Sequence, residues 1–258
     1  MVMFSIIVPT KKRPSLVDLL NSIKNQTFKD YEIIIKEGKV NEYFTRNEAA
    51  KEAKGEIFVF LDDDTIIPTF YLQRLFHHFQ NNKIQIVTCP LVISNAYIGT
   101  GVSYNTFRML NLDFSQLLII NKLLSKFFNI LNKTQKNRYT VLDYKYSGYG
   151  TTISIRKSVF EIIGGFKVNL YENIEDKSGW RLDTIMLFDT MKHFGVESHL
   201  YARDIFVYHP QPIGSKVNIA IEIKFYNIYK DYVDKYILPY DYRLRMLIDN
   251  IGKAKFKT

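Results

Sequence analysis

The sequence predicts an α/β protein built on a mixed, mostly parallel sheet flanked by helices, with a helical insertion and a helical C-terminal tail. Two observations carry this expectation. Three continuous apolar runs, FSIIV at 4–8, YEIII at 31–35 and IFVFL at 57–61, have the form of strands covered on both faces. Helical patterns separate them, so the chain reads as βαβαβ with right-handed crossovers, an arrangement that binds ligands beyond the carboxyl ends of its strands.

Each element follows from local chemistry. The first run stops at Pro9. Ser15 precedes Asp18 by three residues in a capping-box pattern, and Leu16, Leu19, Leu20 and Ile23 follow at helical spacing. Good helix formers at 41–53 are closed by Gly55. Beyond the third run, Leu72, Leu75, Phe76 and Phe79 mark another amphipathic helix, and 84–93 resembles a strand interrupted at Pro90. Ser158 and Glu161 form a second capping-box pattern whose helix ends at Gly164 and Gly165, and strand-like pieces recur at 196–201 and 204–208.

Two stretches look added to this core. A helical insertion at 105–140 contains an amphipathic segment, 114–133, with Leu117, Ile120, Leu124 and Phe128 on one face and Lys122 and Lys126 on the other. A Tyr- and Lys-rich helical extension occupies 215–258, broken at Pro239, so the expected division is 1–214 and 215–258.

Composition bounds the function. With 47% apolar and 24% charged residues the chain is globular, and neither disordered nor fibrous. The single cysteine, Cys89, excludes a disulfide scaffold and suits a reducing compartment. The apolar stretch 2–8 is short, and its basic residues follow rather than precede it, so no signal peptide is readable. The uncharged window 84–107 is broken by Pro90, Gly99 and Gly101, which leaves a cytoplasmic location as the expectation. Any membrane contact is then peripheral, on the inner face, through 114–133 or the tail. Lys and Arg outnumber Asp and Glu by 35 − 26 = 9, which favours anionic partners; no nucleic-acid motif is readable.

The chemistry concentrates at Asp62, Asp63 and Asp64, where the third strand ends. Adjacent carboxylates repel unless a cation or a hydrogen-bond array offsets them, and hard oxygen donors suit Mg²⁺ or Mn²⁺. If strand alternation continues, Asp62 and Asp64 point the same way as a DxD clamp. The rival is a solvated turn in which Asp64 caps a helix.

Three motifs then occur in order: VPTKKRP after the first strand, YEIIIKEG ending the second, and TRNEAAKEAKGEIFVFLDDD running into the acidic strand end. Later come SGYGTTISIRKSVFEIIGGF, WRLDTIMLFDTMKHFG and IFVYH. Together these resemble the inverting family 2 glycosyltransferases of GT-A, Rossmann-like fold. The resemblance implies a Mn²⁺- or Mg²⁺-dependent transfer, with inversion, of a sugar from a UDP- or GDP-linked donor to a hydroxyl of a glycan, lipid-linked or protein acceptor. It implies donor contacts from Pro9, Thr10, Arg13, Glu37, Arg46, Asn47, Asp62 and Asp63, and metal ligation by Asp62, Asp64 and His209. Gly148, Gly150 and Trp180 fall on the acceptor side. The general base is Asp183 or, in a second alignment, Asp176 of the Glu175-Asp176 pair. Asp183 is preceded by Leu182 where the family has Glu, but its separation from Gly195 is nearly the family's.

Other classes remain open to the residues themselves. A nucleotidyltransferase uses a similar sheet and acidic clamp, and a non-catalytic basic module would use the charge on membrane or nucleic acid.

Overall fold

The structure, a computed structural model, describes residues 2–38, 41–94, 139–142, 145–146, 149–171, 179, 181–209 and 219–239. Nearly all of the expected insertion lies outside these residues, as do the 114–133 segment, Gly148, Asp176 and Trp180.

The chain begins as expected, with β1 (Phe4–Thr10), α1 (Leu16–Lys24), β2 (Tyr31–Glu37), α2 (Glu42–Ala50) and β3 (Ile57–Phe60). β1 runs parallel to both neighbours, with Phe4 opposite Tyr31 on one side and Ile57 on the other. Helix α3 (Tyr71–Phe79) leads to β4 (Ile86–Thr88), which pairs parallel with β8 (His199–Tyr201). The antiparallel strand β7 (Ser154–Arg156) lies between β3 and β4, giving the order β2-β1-β3-β7-β4-β8.

The expected strand at 84–93 is two strands in two sheets, because Pro90 has no N–H with which to continue a ladder. After it, β5 (Leu91–Ser94) joins a small sheet between β6 (Tyr139–Leu142) and β9 (Val207–His209). Ile66 and Tyr208 exchange backbone hydrogen bonds of 2.8 and 2.9 Å, tying β9 to the loop after β3.

Three expectations need correction. Strand β2 is an edge strand, not covered on both faces, and leaves Ile33 and Ile35 at 38% and 44% exposure. Ser15 makes no side-chain cap bond; helix α1 starts instead through a tight turn in which the Leu16 N–H reaches the Arg13 carbonyl. Ser158 lies inside helix α4 (Lys157–Ile163), whose flanking residue is Arg156, although Gly164 does end that helix, at φ 75°.

Two apolar layers sandwich the main sheet. Phe4, Ile6, Val8 and Val59 pack with Leu19, Ile23, Leu72 and Leu75 of α1 and α3. Ile7, Phe58 and Phe60 face α2, α4 and α5 (Leu182–Phe194). The last described helix, α6 (Ile219–Tyr236), kinks at Tyr229 and buries Ile221, Phe225 and Val233 in that same layer. Each contributes roughly 1.5–3 kcal/mol of burial, so this part of the expected extension is core. Among the described residues no helix is long and apolar enough to cross a membrane.

Candidate active site

The acidic triplet sits at the carboxyl end of β3, beside the end of β1. A turn follows the strand, in which the Thr65 N–H and hydroxyl both donate to the Asp62 carbonyl, the hydroxyl at 2.7 Å. No helix starts at Asp64, so the capping alternative does not apply. Asp63 turns toward β1 and accepts from the Thr10 hydroxyl at 2.8 Å and the Lys11 N–H at 3.0 Å. Asp62 and Asp64 meet His209, which the small sheet delivers from the end of β9; one ligand atom from each lies within 4.8 Å of the others.

Every carboxylate in this group meets a cation. Arg46 pairs with Asp62, Arg13 with Asp64 at 2.6 Å, and the His209 Nε2 lies 3.3 Å from Asp64 Oδ1. Burial pushes the Asp64 carboxyl up, but His209 and Arg13 outweigh it and hold the group below the usual Asp range. Two carboxylates and an imidazole are a donor set that fits Mg²⁺ or Mn²⁺.

A second carboxylate is built differently. Asp183 stands in the first turn of α5, where backbone N–H groups favour negative charge. Its Oδ1 accepts from the Thr184 N–H at 2.7 Å, and its Oδ2 from the Gly150 N–H at 3.1 Å and the Tyr43 hydroxyl at 3.4 Å. Burial raises its pKa, and the Thr184 N–H and the charge of Arg181 offset only part of that rise.

Arg46 joins the two groups. It is fully buried on α2, under the Tyr43 ring at 4.9 Å and beside the Phe166 ring at 5.8 Å. A Cβ at position 150 would overlap its Nη1, so only glycine lets this turn approach closely enough to bond Asp183. Its Nε and Nη1 have no hydrogen-bond partner among the described residues.

The remaining predicted residues are spread around this edge. Pro9 is buried in β1 beside Thr10, and Glu37, at the end of β2, pairs with Lys12 at 2.7 Å. Both members of that pair are exposed. Asn47 commits its amide to Phe166, donating to the carbonyl at 2.8 Å and accepting from the N–H at 3.0 Å. Sequence reasoning missed Tyr43, Glu42, Arg181 and Thr151, whose hydroxyl accepts from the Asp62 N–H at 3.1 Å. Of these only Glu42 left a trace, as the partner four residues before Arg46 on one helix face.

Residues 45–162 match the family described as Glycosyl transferase family 2. Over that segment the chain is similar to this family. The resemblance read from the motifs is therefore borne out, and with it the glycosyltransferase fold class. S. aureus TarS aligns with a TM-score of 0.51 at 17% identity, over 92% of this chain and 45% of that one. TarS 1-349 in complex with UDP-GlcNAc aligns at 0.51 and 17%, over 90% and 67%. The mannosyltransferase PcManGT from Pyrobaculum calidifontis, in complex with GDP-Man and Mn²⁺, aligns at 0.52 and 14%, over 94% and 68%. The chain thus spans a little under half of that TarS chain, and these likenesses speak for the fold. No curated protein matches the chain. In the matched segment fall most of α2, β3 and the acidic triplet, while His209 and Asp183 lie beyond it.

Proposed function

We propose that this family 2 chain is a metal-dependent, inverting glycosyltransferase that moves a sugar from a UDP- or GDP-linked donor to an acceptor hydroxyl. The observation that carries the reading is the meeting of Asp62, Asp64 and His209 on one edge, with Arg46, which pairs with Asp62, near enough for its charge to act on Asp183. The solved relatives in complex with UDP-GlcNAc and with GDP-Man and Mn²⁺ support the donor class.

The residues divide the work. Asp62, Asp64 and His209 would hold a divalent ion, which supplies charge neutralisation to a leaving diphosphate. Arg13, half-exposed beside Asp64, adds a guanidinium fork suited to phosphate oxygens. Thr10 and the Lys11 N–H fix Asp63 and so keep the ends of β1 and β3 in register. Asp183 takes the proton from the acceptor hydroxyl as that oxygen attacks the anomeric carbon. A raised pKa suits it, since a base works best when its pKa approaches the working pH. The Gly150 N–H, the Tyr43 hydroxyl and the Thr184 N–H keep its oxygens in place. Displacement by a single attack from this side inverts the centre.

The test is product analysis with both Asp62→Asn and Asp64→Asn. The wild-type protein should release nucleoside diphosphate, not inorganic diphosphate, from UDP-GlcNAc or GDP-mannose in Mn²⁺. Each variant should lose that release while melting within a few degrees of wild type. Inorganic diphosphate as product would turn the reading to nucleotidyl transfer, and undiminished turnover in both variants would refute the metal assignment.

A further inference from the structure

Two residues before Asp183 the chain takes an unfavourable shape. Arg181 has φ 69°, a left-handed conformation that L side chains with a Cβ rarely adopt, and it is the residue from which α5 starts. Its side chain turns away from solvent toward α6. The Arg181 Nε donates to Glu222 Oε1 at 2.9 Å, with side-chain exposures of 10% and 2%, and the guanidinium lies 5.3 Å from the Phe225 ring one turn further along α6. A buried ion pair is weak evidence for stability, because desolvation offsets its attraction. This one joins elements 41 residues apart and fixes the start of the helix that carries Asp183.

The rest of the helix pair is tied as well. Tyr229 of α6 donates its hydroxyl to Asp189 Oδ1 at 2.9 Å, and the Phe188 ring of α5 packs against Phe225, Tyr229 and Tyr232. So α6 grips α5 at its first turn through charge and further along through rings. The polar grip at the first turn is the part that faces the chemistry.

We propose that Arg181 and Glu222 form a latch through which α6 sets the position and the charge surroundings of Asp183. Both are positioning residues, and the proposal rests on the reading of Asp183 as the base. The charged and titratable groups around Asp183 are Arg181 on its own helix, and Glu42, Tyr43 and Arg46 from α2, with Glu222 of α6 behind Arg181. Arg181 favours the ionised carboxylate, and Glu222 cancels part of that effect.

The two halves of the latch must therefore act in opposite directions, which a prop for the fold would not do. Carbon-13 NMR titration of the Asp183 carboxyl, assigned by its loss in Asp183→Asn, reads this without any substrate. Arg181→Gln should move its midpoint up and Glu222→Gln should move it down, each by about half a pH unit or more. The acid limb of nucleoside diphosphate release from UDP-GlcNAc or GDP-mannose with Mn²⁺ should move the same way. Turnover should fall on the order of tenfold, since misplacing a reacting group by about 1 Å can cost up to ~100-fold. UDP or GDP affinity should stay unchanged, and Glu222→Asp should recover part of the rate.

Midpoints that do not move, or that move together, overturn the latch. Opposite movements with an unmoved rate profile keep the latch but remove Asp183 as the base. If every substitution at either position, including Arg181→Lys and Glu222→Asp, unfolds the protein, the pair is structural and the proposal falls.

Discussion

Two carboxylate groups share one edge of the sheet and are held in opposite ways. Asp62 and Asp64 each face a guanidinium, and Asp64 also faces an imidazole, so its carboxyl lies below the ordinary range. Asp183 is met by a backbone N–H from Thr184, another from Gly150 and a phenol, and burial wins, so its carboxyl lies above it. The partner, not the residue type, decides the direction. On the proposed reading, the first group attracts a cation and the second accepts a proton.

Removing the proposed proton acceptor should have the largest effect. Asp183→Asn keeps the shape but not the basicity, so transfer should fall by about 10²–10⁴-fold, with UDP or GDP affinity in Mn²⁺ unchanged. A loss that appears in nucleotide affinity instead would merge the two groups into one binding site and end the comparison. The acid limb of wild-type kcat should lie above the ordinary Asp range near pH 4, in keeping with the raised carboxyl.

A smaller effect is expected where α2 meets Phe166. Asn47 serves the backbone there, so Asn47→Ala should destabilise by about 1–3 kcal/mol, the usual consequence of leaving partly buried amide groups unpaired. Calorimetry should show the lower melting temperature, with KM for the donor unchanged. A raised donor KM at an unchanged melting temperature would show that the Asn47 amide serves the ligand and not the fold.

The two groups also differ in how much of them can be read from the chain alone. The proposed metal edge is written contiguously, as three aspartates after a buried run, and the strand itself dictates where they emerge. The proposed base edge is assembled from positions 43, 150, 181 and 183, and α6 adds 222; no spacing links these, because their meeting depends on how helices pack. His209 belongs to the legible part by motif, yet its approach depends on Pro90 diverting the chain into a second sheet. Local errors have local causes. Ser15 and Ser158 fit a capping pattern, but α1 starts through the turn at 13–16 and α4 directly from the end of β7, where propensity is a weak guide. Strand β2 has the apolar content of an inner strand, and only the sheet order shows it at the edge.

Glu42 stands between the two groups and sharpens the contrast at its smallest scale. It precedes Arg46 by one helical turn, and burial together with Asp62 pushes its carboxyl up to about 7, with Asp183 and Asp64 adding to the rise and Arg46 opposing it. A carboxyl whose folded pKa is raised binds more protons in the native state than in the unfolded chain, so it removes stability as pH rises from about 4.5 to about 7. Glu42→Gln removes that loss. The variant should match wild type below pH 4.5 and become more stable above pH 7, by about 1 kcal/mol or less, because the residue is exposed as a whole and water reaching it screens the carboxyl even where neighbouring atoms crowd it. Urea unfolding at pH 4 and pH 8 would measure it. Equal stabilisation at both pH values would mean that Glu42 does not feel the carboxylates on either side, and that the two groups are electrically separate.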